Sequence, residues 1–357
     1  MTILLLTPGN PFDHKSWSGT LNSITKTIQN IGHKVLWHGE IPRASFLLRI
    51  KFLIYYLFNG KKYRWKHSIE HSKRVGKIIT DRIKDVDYDI ILVIAASTES
   101  AFVHINVPII YISDATFDSM VNYESSFSNI SAKSIDEGNF LEKTIIERSN
   151  YILYPSDWSI NSAIKYYGVS EKKIIKAKFG PNLPKLPELN DMNYKHNILK
   201  LLFIAVKWDA KGGPIAIETL KELNERGINT ELTVVGCRPK EIKCKGLNII
   251  PFLDKSKIQD LQMLWNVYNT SHFFILPTRN EAVGIVFSES AAFGLPCVAS
   301  NTGGISDYIE DSITGHLLEL TANGKDYADA IEKIWKNKEK YKSMRIASRN
   351  KYEKELN

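Results

Sequence analysis

The sequence predicts an α/β protein made of two Rossmann-like, doubly wound parallel-sheet domains facing each other across a cleft. Three observations carry that expectation. Short β-rich runs alternate with helix-period stretches through both halves of the chain. The runs are almost continuously apolar, as parallel strands covered on both faces are. At 357 residues the chain also exceeds what one hydrophobic core usually fills.

In the first half the predicted strands are "ILLLTP" (3–8), "KVLW" (34–37), "DIILVIA" (89–95), "PIIYIS" (108–113), "YILYP" (151–155) and "IIKAKF" (174–179). Helical patterns separate them, such as 18–32, opened by a Ser and closed by a Gly. The stretch "GPNLPKLPELNDMNYKHN" (180–197) has three prolines and no periodicity, and reads as a linker. A second series follows at 199–206, 230–236, 247–252, 272–278, 296–300 and 315–320. The expected organisation is a domain over 1–180, a linker over 181–197, a second domain over 198–336, and a charged C-terminal helix over 337–357 that packs back toward the first domain. In doubly wound sheets ligands bind beyond the carboxyl ends of the strands, so the cleft is the expected site.

Composition narrows the class. A 43% hydrophobic, 24% charged chain is that of an ordinary soluble protein. The N-terminal "MTILLLTPGN" has no basic region before its apolar run, and "FLLRIKFLIYYLF" (46–58) is too short and too charged to span a bilayer. Cys237, Cys244 and Cys297 have no zinc-type spacing, so reduced thiols in a cytoplasmic protein are expected. The net charge of +8 is concentrated: Ile41 to Asp85 holds twelve Lys/Arg against three Asp/Glu. Within it, 43–67 joins an apolar stripe to cations and ends on Tyr63 and Trp65, a pattern that suits an anionic membrane surface or a core-packed helix with solvated cations. Nucleic acid is not expected, because no recognised module accompanies the charge.

Two stretches carry chemistry. In "FIAVKWDAKGGPIAIETLKEL" (203–223) a strand ends, Lys207 and Lys211 follow four apart, and Gly-Gly opens a helix. Glycines admit close backbone approach, helix-start N–H groups are unpaired, and ammonium groups neutralise charge, so a diphosphate suits this turn. A solvated lysine pair is the plainer alternative. The first turn, "TPGNPFDHKSWSGTLNSI", repeats the logic around Gly19. In "RNEAVGIVFSESAAFGLP" (279–296), Glu281 falls on a loop after a strand and Glu289 early in an amphipathic helix. Ionised carboxylates only accept hydrogen bonds, which fits vicinal sugar hydroxyls and opposes contact with phosphate. Lysines and helix starts, including those near Gly284 and Gly303-Gly304, would then take phosphates, and the glutamates hydroxyls.

With the following "TGGISDYI", these motifs make the chain resemble the retaining, metal-independent nucleotide-sugar glycosyltransferases of the GT-B fold (glycosyltransferase family 4, group 1 type). The likeness is strong over 199–320 and looser before it. It implies an acceptor-binding first domain and a nucleotide-sugar-binding second domain. Glu281 would contact the donor hexose and Glu289 the donor ribose, with Val283, Gly284, Ile285 and Val286 lining sugar and diphosphate. Gly19 and Gly303 would add donor contacts, and Lys207 and Lys211 would hold the β-phosphate. Lys207 stands where arginine is usual, and "EAVG" replaces "EGFG" or "EPFG". Where the family often has a histidine, Asp114 follows a strand, as a catalytic or acceptor-side group or as the cap of a helix from Thr116.

The expected activity is hexosyl transfer from a UDP- or GDP-sugar to an acceptor hydroxyl in glycan, polysaccharide or glycolipid synthesis, with Asp114, Lys207, Lys211 and Glu281 as catalytic groups. No cofactor beyond the donor substrate and no metal are expected. A nucleotide-sugar-binding pseudoenzyme or scaffold and a nucleotide-sugar 2-epimerase are the alternatives. The expected partners are the donor, a glycan or lipid-linked acceptor, and an anionic membrane surface through 43–67, at the cytoplasmic side. "DVD" (85–87) and "HSIEH" (67–71) match metal patterns, but read as a solvated strand entrance and a solvated helix face amid cations.

Overall fold

The computed structural model describes residues 1–42, 46–183, 198–238 and 244–357. Most of the expected linker, the start of the basic block and residues 239–243 lie outside them. The chain divides into two compact units, Met1–Ala177 and Lys178–Asn357.

The first unit runs β1 (Thr2–Leu6), α1 (Thr20–Asn30), β2 (Lys34–Trp37), α2 (Phe46–Asn59), α3 (Ile69–Ile83), β3 (Ile90–Ile94), α4 (Ser97–Ser100), β4 (Ile109–Ile112), α5 (Phe117–Met120), α6 (Ala132–Arg148), β5 (Tyr151–Tyr154), α7 (Asp157–Tyr167) and β6 (Ile174–Lys176). Its sheet is parallel throughout, in the order β2-β1-β3-β4-β5-β6. The strands are Ile- and Leu-rich because helices cover both faces; Leu4, Leu6, Ile91, Val93 and Ile152 are buried in one core with Val75 and Ile79 of α3. Each such side chain contributes about 1.5–3 kcal/mol on burial.

The second unit runs β7 (Leu199–Ile204), α8 (Gly213–Glu225), β8 (Thr230–Val235), β9 (Leu247–Ile250), α9 (Ile258–Thr270), β10 (Phe273–Leu276), α10 (Ile285–Ala292), β11 (Cys297–Ser300), α11 (Ile305–Tyr308), β12 (Gly315–Leu318), α12 (Gly324–Lys336) and α13 (Lys338–Glu355). Its sheet is also all parallel, in the order β12-β11-β10-β7-β8-β9. All twelve sequence-derived strands are present, each within a few residues of the expected span. The C-terminal helix α13 lies against α10, where Arg345 donates to the Gly294 and Phe293 carbonyls.

Strand order fixes where ligands can sit. From β7 the chain winds outward through β8 and β9, then crosses back to place β10 on the other side of β7. The loops after β7 and β10 therefore flank the reversal point, the crevice that open α/β sheets use for ligands. In the first unit the reversal lies between β1 and β3. Asp114, after β4, stands one strand away from it.

Some expectations fail locally. The first helix is opened by Gly19, in the left-handed region at φ 90°, after two left-handed residues, Trp17 and Ser18. Helix α10 is not amphipathic: Phe287 through Ala292 are all buried, because α13 covers the face that would otherwise meet water. The "HSIEH" segment is not a solvated face. His71 is buried, and His67 packs against Phe117 and Phe127, where burial pushes its pKa down to about 3.

Candidate active site in the C-terminal unit

Lys211 reaches its position because the turn after β7 is built tightly. Gly212 is left-handed at φ 77°, and a Cβ there would lie 1.9 Å from the Pro277 carbonyl oxygen. The neighbouring Gly213 starts α8 flat against the Trp208 ring, where a Cβ would come within 2.2 Å. So the turn after β7 lies directly on the turn after β10. The Arg279 N–H donates to the Ala210 carbonyl at 3.0 Å, completing the seam.

Across that seam the Lys211 ammonium donates to Glu281 Oε2 and to the Asn280 carbonyl, each at 2.8 Å. Both side chains are partly open, 22% for Lys211 and 18% for Glu281. This changes the expected division of labour: Glu281 shields the lysine that was to meet phosphate, so an incoming diphosphate must share or displace that pair. Lys207 is exposed on the same turn. The Glu281 carbonyl in turn accepts from the Gly304 N–H at 3.3 Å, bringing the 302–304 turn to this loop. Gly303 is left-handed at φ 57°, but α11 is a single four-residue turn. A helix that short adds little dipole, so the expected helix-start contribution there is corrected to backbone N–H groups alone.

Gly284 opens α10 at φ 75°, with Phe287 and the Glu281 Cγ packed where a side chain would go. Val283 is buried; Ile285 and Val286 are half-buried. Halfway along α10, Glu289 is 1% exposed. Lys255 pairs with its Oε1, and the Tyr268 hydroxyl donates to Oε2 at 3.0 Å. Burial and the adjacent Glu289 carboxylate hold the Tyr268 phenol well above its usual pKa, so it remains a donor. Sequence reasoning missed both partners. Lys255 lies in the loop between β9 and α9, which carries no sequence motif, and Tyr268 continues the buried Leu261 and Leu264 stripe of α9, where it reads as core.

Gly19 and Asp114 belong to the first unit. Asp114 is half-buried at the end of β4 and is not the helix cap; Thr116 caps α5 in a reciprocal box with Ser119. Beside Asp114 lies Glu142 of α6, which accepts from the Tyr111 hydroxyl at 2.8 Å. Burial, opposed by hydrogen bonds from Tyr111 and Ser97 and reinforced by Asp114, raises the Glu142 pKa to about 7. Among the described residues no group of three or more His, Cys, Asp or Glu is placed to hold a metal ion. All three cysteines are free thiols.

Comparison with known proteins decides the class. Residues 193–351 match the family described as "Glycosyl transferases group 1". The chain carries a group 1 glycosyl transferase domain, which makes it a transferase enzyme. The transferase is 25% identical over 308 residues to Protein CapJ of Staphylococcus aureus, covering 84% of this chain and 75% of that one. A D-inositol 3-phosphate glycosyltransferase of Saccharomonospora viridis is 37% identical over 73 residues, 20% of this chain and 17% of that protein. In structure the transferase is similar to the sucrose-phosphate synthase of Thermosynechococcus elongatus, with a TM-score of 0.72 at 15% identity over 100% of this chain and 94% of that one. It also resembles HepE of Anabaena, solved in complex with UDP and glucose, with a TM-score of 0.67 at 13% identity over 100% and 96%. These likenesses establish the GT-B fold of two Rossmann-like domains.

Proposed function

We propose that this transferase moves a hexose from a nucleoside diphosphate sugar, UDP- or GDP-linked, to an acceptor hydroxyl in glycan or glycolipid synthesis, with retention at the anomeric carbon and without a metal. The observation that carries the reading is the arrangement around Gly284. A cationic turn with Lys207 and Lys211 lies on one side, and a buried acceptor, Glu289, on the other, at the reversal point of the sheet. The bound UDP and glucose of HepE support the ligand class.

Lys207, Lys211 and the N–H groups opening α10 stabilise the charge that grows on the leaving diphosphate. That diphosphate takes the acceptor proton. Glu281 steers Lys211 and contacts the hexose, Glu289 holds the ribose, and Asp114 serves the acceptor. Titration calorimetry with UDP- and GDP-sugars tests this. Lys211→Ala and Glu289→Ala should each weaken donor binding about tenfold or more, as loss of a hydrogen bond to a charged group does. Equal binding by wild type and both variants would sink the reading.

The chain also docks on anionic membrane through its basic segment. Among the described residues no helix is long and apolar enough to cross a membrane. In α2, Leu53, Leu57 and Phe58 are exposed, Phe58 at 86%, and Lys61 and Lys62 follow directly. Cosedimentation should favour anionic over neutral vesicles; equal recovery rejects the surface.

A further inference from the structure

Glu289 would be a costly residue to bury were it not held at both oxygens. Lys255 occupies Oε1 and Tyr268 occupies Oε2, and both partners are themselves anchored. Tyr268 is buried and stacked on Phe293, with ring centroids 4.8 Å apart and planes within 10°. Lys255 sits in a turn in which Asp254 accepts from the Ser256 N–H at 3.1 Å and from its hydroxyl at 2.6 Å, while the Asp254 N–H donates to Asp260 at 2.8 Å. An ionised carboxylate has about four acceptor positions, two on each oxygen. One on each is filled, and the second on each, closed off at 1% exposure, would be uncovered as a pair of vicinal hydroxyls enters.

We propose that Tyr268 and Lys255 are positioning residues that present Glu289 as a two-point acceptor for a vicinal diol, and so set the preference of the donor site for ribose over deoxyribose nucleotides. The inference rests on the nucleotide-sugar reading above. Lys255 holds Oε1 of the carboxylate and Tyr268 holds Oε2, so together they fix its plane. Neither residue need touch the ligand. Their removal should therefore erode discrimination between two nucleotides more than it lowers the affinity for the poorer one.

The test is calorimetric titration of the full chain with UDP, GDP and their 2′-deoxy counterparts. Wild type should bind the ribose form about tenfold or more tighter, the value of one hydrogen bond to a charged acceptor. Tyr268→Phe, which removes only the hydroxyl, and Lys255→Met should each shrink that ratio to about threefold or less, and Lys255→Arg should preserve it. A ratio unchanged in both Tyr268→Phe and Lys255→Met overturns the proposal. So does tighter UDP binding by Lys255→Met, which would make Lys255 a competitor of the ligand. A wild type that binds these nucleotides without preferring ribose sinks this inference and leaves the nucleotide-sugar reading standing. A wild type that binds none of them removes both.

Discussion

Among the described residues, each unit of the transferase has one glutamate with almost no exposed surface, and the two have opposite company. Glu142, on α6, meets the Tyr111 hydroxyl and Ser97, with the Asp114 carboxylate nearby, and its pKa rises to about 7. Glu289, on α10, meets the Tyr268 hydroxyl and the Lys255 ammonium. A tyrosine supports each acid; only the second has a cation. Equal burial thus comes with different hydrogen-bond partners: a second hydroxyl, from Ser97, at Glu142, and the Lys255 ammonium at Glu289. Glu142 can hold a proton near neutrality, whereas Glu289 is arranged to accept hydrogen bonds.

The largest effect is expected from dislodging α6. Gly138 lies one turn before Glu142, and a Cβ there would fall 2.1 Å from the Phe117 ring, which His67 and Phe127 hold in place. Gly138→Ala should cost about 3 kcal/mol, against the gain expected of alanine in an open helix, and melting curves will show it. Next is Tyr111→Phe, which takes the phenol from Glu142. It should cost about 1–2 kcal/mol, more at pH 8 than at pH 5, because the ionised acid depends on that donor.

A subtler effect is expected of Glu142→Gln. A carboxyl raised in the fold from 4.5 to about 7 stabilises fully below pH 4.5, and that contribution is lost as pH rises through 7. Stability of the variant relative to wild type should therefore improve between pH 4.5 and 7. Referring it to wild type cancels Glu99 and His67, which titrate in the same unit. Asp114, Tyr154 and Tyr167 face the same group. Smallest is Lys255→Arg, which keeps a cation on Glu289 and should shift stability by no more than about 0.5 kcal/mol. A larger loss would mean that the ammonium geometry, not its charge, matters.

The strands were legible because parallel strands are apolar on both faces, so runs such as 90–94 and 273–276 announce themselves locally. Lys211, Glu281 and Gly284 stood out in the sequence because each lies at a strand end or helix start marked by glycine, and Glu289 because it falls eight residues beyond Glu281. Their pairing did not. Lys211 meets Glu281 seventy residues away, and Lys255 meets Glu289 across thirty-four, distances over which periodicity carries no information. The same blindness explains α10, read as amphipathic because α13, which covers it, begins forty-six residues after α10 ends. At Asp114 an acid three residues before a helix invited a cap, but Thr116 was better placed and already had Ser119 to answer it.

The seam at Gly212 has a consequence for anyone redesigning the enzyme. The backbone of the turn after β7 touches Pro277, Ala210 accepts from Arg279, and Lys211 holds Asn280 and Glu281. Residues 207–213 and 277–281 are thus one cassette, split in the chain but single in space. A library that varies one turn while keeping the other will mostly sample broken seams, whereas exchanging the two together between homologues transplants an intact part.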